Sequence, residues 1–104
     1  MRVKGWHNGR ADKKQPAGYG VRFSKRDRDA QFRREWAHVT VETADGQRTT
    51  VRASNRFWNK CPELRSSDIG RWLLDSGLAP WQYGRPPMLR LERIADRVFR
   101  LSRP

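Results

Sequence analysis

The sequence predicts an α+β fold, a small curved antiparallel sheet of about five strands packed by one main helix into a barrel-like unit. Three observations lead there. Residues 18–24, 36–43 and 47–53 alternate apolar and polar side chains, the period of a strand with one buried face. Residues 67–76 carry apolar side chains at helical spacing between a start and a stop signal. A chain of 104 residues has room for one core, and five tryptophans, four phenylalanines and two tyrosines are there to fill it.

Residues 1–17 hold five Lys or Arg against one Asp, are broken by Gly5, Gly9 and Pro16, and offer little apolar beyond Val3 and Trp6. They read as a flexible basic arm before a single α+β domain at 18–104, an arm whose deletion leaves the fold intact. Trp6 is expected to dock back on the domain, with stacking on a base as the alternative. In residues 18–24, Tyr19, Val21 and Phe23 share one face and Arg22 takes the other. Residues 25–29 read as a charged turn, and 31–35 as a short connector.

The next two strands are expected to pair. Val39, Val41 and Thr43 share a face, and Asp45-Gly46 is the turn signal before residues 47–53. A two-residue loop would set Val51 against Thr40 and split the valines between faces. A loop of Ala44, Asp45 and Gly46 sets Val51 against Val39 and Thr49 against Val41. Because a one-residue slip moves every side chain to the other face, the apolar match selects the longer loop, with Gly46 left-handed.

The helix at 67–76 starts at a Ser66 or Ser67 cap, with Asp68 opposing the dipole in its first turn. Ile69, Trp72 and Leu73 fall on one face. Gly77 stops the helix in the left-handed conformation, Leu78 folds back toward Leu73, and Pro80 prevents a restart. Residues 82–87 form a loop. Residues 88–101 fit either a basic amphipathic helix or a hairpin turning at Ile94, Ala95 and Asp96. Pro86-Pro87 favours an extended lead-in, and four arginines on one helix face would repel, so the hairpin is expected. The predicted core is Trp36, Val39, Val41, Val51, Phe57, Trp58, Ile69, Trp72, Leu73, Leu78, Phe99 and Leu101.

Charge supplies the functional expectation. The net charge is +12, and residues 1–36 carry eleven Lys or Arg against four Asp or Glu. Clustered basic charge destabilises a compact chain unless a polyanion relieves it, which points to nucleic acid, DNA or RNA. The expected contacts are Arg10, Lys13 and Lys14 on the arm and Arg22, Lys25, Arg26, Arg28, Arg33 and Arg34 around the first domain strand. Guanidinium forks grip phosphate oxygens irrespective of base, so low sequence specificity follows.

Other classes find less support. One cysteine permits no intrachain disulfide, and no apolar run marks a membrane segment, so a cytoplasmic location without membrane contact is expected. Cys61, His7 and His38 are too sparse for a metal site, and no cofactor is expected. No catalytic set emerges. His38, with nearby arginines, is the one handle for a metal-independent ribonuclease or toxin. A module or mobile-element-borne inhibitor whose basic face meets an acidic protein partner is the other alternative.

Overall fold

Seven strands form one sheet in the computed structural model, which describes residues 1–8, 16–53, 55–60 and 62–104. They are β1 (Arg2–His7), β2 (Tyr19–Arg22), β3 (His38–Thr43), β4 (Arg48–Arg52), β5 (Glu63–Arg65), β6 (Met88–Ala95) and β7 (Val98–Ser102). Among the described residues three helices accompany them, α1 (Lys25–Gln31), α2 (Asn55–Asn59) and α3 (Ser67–Asp75), with a 3-10 turn at Pro16–Gly18. The spatial order is β4-β3-β7-β6-β1-β2-β5. The edge strands β4 and β5 approach one another, so the sheet nearly closes into a barrel. The α+β class and the barrel-like curvature follow the sequence reading. The sheet is larger than the expected five strands, and β3 and β7 pair in parallel.

The β3–β4 hairpin has the register chosen from the valines. Val39 faces Val51, Val41 faces Thr49, and Gly46 closes the loop at φ 88°. Residues 88–102 are a hairpin, with Leu91 opposite Leu101. Its turn is Asp96-Arg97, one residue past the expected centre, and Arg97 takes φ 57° beside a bulge at Arg93/Ala95. Helix α3 begins at Ser66, whose hydroxyl accepts the Ile69 N–H at 3.1 Å. It ends in a Schellman motif: the Leu78 N–H donates to the Leu73 carbonyl at 2.9 Å and the Gly77 N–H to that of Leu74 at 3.2 Å. Ile69, Trp72 and Leu73 are buried, as their spacing requires.

Two local expectations are corrected. Residues 25–29 belong to helix α1 and not to a turn, because Ser24 caps it by accepting the Asp27 N–H at 3.0 Å. Arg2–His7 of the expected arm form strand β1, hydrogen-bonded between β6 and β2 near the middle of the sheet. Val3 is buried, and Gly5 lies against Trp81 and Pro87, which fill the space a side chain would need. Removing residues 1–17 therefore removes a central strand. Of the rest of the expected arm, residues 16 and 17 belong to the 3-10 turn, and 9–15 lie outside the described residues, as does Cys61.

The barrel interior collects Val3, Tyr19, Val21, Val39, Val41, Val51, Leu64, Leu89, Leu91, Phe99 and Leu101. The α1–β3 connector adds Phe32 and Trp36. Phe32 stacks on Phe99 at 4.6 Å and on Phe23 at 5.2 Å, and meets Phe57 edge-on at 5.2 Å. Of the predicted core, only Trp58 and Leu78 are partly exposed, and both still pack against it.

Candidate nucleic-acid interface

Alternation along each strand puts one set of side chains inside the barrel and the other on its outer surface. Charge on that outer surface is divided. Across β4, β3, β7 and β6, Arg48 faces Glu42, Glu42 faces Arg100, and Arg100 faces Glu92. Glu42 lies 3.6 Å from Arg48 and 3.7 Å from Arg100. Signs alternate along this row, so it is neutralised by cross-strand pairing.

The pattern breaks on reaching β1. Arg2 stands directly opposite Arg90 of β6, and Lys4 directly opposite Arg22 of β2. Directly opposed side chains have Cβ atoms about 4.5–5.5 Å apart, and like charges at that distance destabilise the pairing. Arg65 of β5 extends the face beyond Gly20. Its carboxylates are Glu63, 3.1 Å from Arg22, and Glu92, 3.3 Å from Arg90. Arg2, Lys4, Arg22, Arg65 and Arg90 are all exposed. Five cations against two anions, one of which, Glu92, also closes the neutralised row, leave this half of the sheet with an excess of at least +3. Trp6 lies on the same face, one outward position beyond Lys4, with the Arg65 guanidinium carbon 5.6 Å from its ring centroid.

The expected contact residues divide among several places. Arg22 joins the β1–β2 face. Lys25 and Arg26 are exposed in the first turn of α1. Arg33 and Arg34 are exposed after α1, and the Arg34 guanidinium covers Trp58 at 4.8 Å. Arg93 and Arg97 similarly lie over Trp36, at 5.4 and 6.0 Å. These rim arginines cover tryptophan faces at the aromatic end of the barrel. Arg10, Lys13 and Lys14 lie outside the described residues.

Arg28 is a correction. It is 5% exposed, and its guanidinium donates to the carbonyls of Phe57 at 3.1 Å and Trp58 at 2.9 Å. Those carbonyls belong to the last turn of α2, where main-chain oxygens lack helical partners and a cation is favourable. Nε also donates to Asp29 at 3.0 Å. Arg28 is thus a buried cap and does not face a ligand.

Arg2, Lys4 and, save as the alternative to docking, Trp6 were not among the expected contacts, nor were Arg65 and Arg90. A signal for the first three exists: Arg2, Lys4 and Trp6 alternate with Val3 and Gly5, a strand period in which glycine takes an inward position. His38 is exposed on β3 opposite Arg52. Among the described residues, no three His, Cys, Asp or Glu side chains gather as metal ligands, and no helix is long and apolar enough to cross a membrane. No family model, curated protein or solved structure matches the chain.

Proposed function

We propose that this chain binds nucleic acid, DNA or RNA, through the phosphate backbone, with the outer face of β6, β1, β2 and β5 as the contact surface. The two like-charge rungs, Arg2 against Arg90 and Lys4 against Arg22, are the observation that carries this reading. The row from Arg48 through Glu42 and Arg100 to Glu92 alternates sign across four strands, so a compensated arrangement is within reach of this fold. A row of phosphates supplies the missing negative charge, and strands hold the cations with less freedom than an arm would, which lowers the entropy lost on binding. Backbone contacts carry no base information, so discrimination between sequences is weak.

The test is a titration of labelled duplex DNA, single-stranded DNA and RNA over a range of salt. Affinity falls with a log–log slope of about −0.7 to −0.9 per phosphate bound. Changing Arg2, Lys4, Arg22 and Arg90 together to Gln makes that slope shallower by about 0.7–0.9 for each phosphate that no longer meets a cation. Changing Arg48 and Arg100 to Gln, in the neutralised row, leaves the slope near the wild-type value. Absence of binding at low salt, or binding indifferent to salt, rejects the reading and favours an acidic protein partner for this face.

A further inference from the structure

We propose that the nucleic acid on this face is single-stranded, and that Trp6 is the surface on which one of its bases stacks. This rests on the phosphate-binding reading and names the class of strand. Four of the five tryptophans serve the core: Trp36 and Trp72 are buried in it, and Trp58 and Trp81 pack against it. Trp6 does neither. It is a partly exposed indole on the outer surface, among Lys4, Arg22 and Arg65.

The sheet brings Arg65 close to the ring. Trp6 is in register with Gly20, and Gly20 with Arg65. A Cβ on Gly20 would lie 2.7 Å from the Arg65 Cβ and collide with the Leu64 carbonyl, so the backbone permits no side chain there. The indole is partly exposed, and the Arg65 guanidinium rests over it. An arriving base takes the position over the ring, which frees the Arg65 fork for the phosphate attached to that base. Duplex bases are stacked on one another and cannot present their faces to a sheet. Single-stranded bases can, and every base has a π-face, so both DNA and RNA strands qualify.

Fluorescence anisotropy with 12-nucleotide DNA and RNA strands, a 12-base-pair duplex, and an abasic DNA strand of the same length tests the proposal. Wild-type protein binds both base-bearing single strands more tightly than the duplex. The abasic strand binds more weakly by a factor in the range of about 5- to 150-fold, the worth of a stacked base. Trp6→Ala loses the same factor on base-bearing strands, binds the abasic strand like wild type, and keeps the wild-type salt slope. Trp6→Phe recovers most of the loss. Salt-dependent binding that is equal for the abasic strand and the base-bearing strand, or equal for duplex and single strand, overturns stacking while leaving the phosphate reading in place. Absence of binding to all four removes both. The abasic comparison uses wild-type protein, so its outcome is independent of how the variants fold.

Discussion

Replacing Arg28 by alanine removes a guanidinium from the C-terminal turn of α2 and strands two main-chain carbonyls, those of Phe57 and Trp58. Each charge-assisted bond of this kind contributes about 1.5–3 kcal/mol, so the pair is worth roughly 3–6 kcal/mol before offsets. Arg28 is 5% exposed, and returning its charge to water on unfolding recovers part of that. A net loss of about 3 kcal/mol follows, a large fraction of the roughly 5–15 kcal/mol typical of a domain. At about 4–8 °C per kcal/mol, the melting temperature falls by roughly 12–24 °C. The assay is urea and thermal unfolding of wild type, Arg28→Ala and Arg28→Lys. Lysine keeps the charge but has a single nitrogen, where Arg28 uses Nη1 for both carbonyls and Nε for Asp29, so it falls between the other two. Nucleic-acid titrations of Arg28→Ala, made where it is folded, keep the wild-type salt slope. A variant within about 0.5 kcal/mol of wild type whose salt slope is also shallower would show Arg28 to be a surface ligand after all.

Deleting residues 1–7 takes β1 from between β6 and β2 and abolishes cooperative unfolding, which circular dichroism during melting detects; a folded truncated protein contradicts the strand assignment. At the β3–β4 turn, the Thr43 hydroxyl donates to the Asp45 carboxylate and holds it below its ordinary pKa of 3.8, opposed by slight desolvation and helped by the Gln47 N–H. Because the folded value is the lower one, the stabilisation is present above the unfolded pKa and is lost as pH falls through the folded pKa. Carboxyl chemical shifts during an acid titration show Asp45 protonating late, and Thr43→Val returns it toward 3.8.

The helix α3 and the β3–β4 hairpin were legible in the sequence because their determinants are local. Ser66, the spacing of Ile69, Trp72 and Leu73, and Gly77 specify where α3 begins, which face it buries and where it ends. The hairpin register follows from two valines and one left-handed glycine. The β6–β7 segment was half legible: its apolar spacing fits two periods, and pairing Leu91 with Leu101 is what the neighbouring strands select.

The candidate face was decided by tertiary structure. β1 has a single inward apolar side chain within its central pairs, Val3, and its inward glycine is explained only by Trp81 and Pro87, far along the chain. No local signal announces the parallel pairing of β3 with β7, which carries the neutralised row across the sheet. The basic count of residues 1–36 indicated the class of partner but could not sort its members. Arg28 and Arg22 look alike in sequence, yet one is drawn inward by two orphan carbonyls and the other is turned outward by the alternation of its strand. Composition and periodicity report what a segment can do alone; which charges remain uncompensated depends on which strands become neighbours.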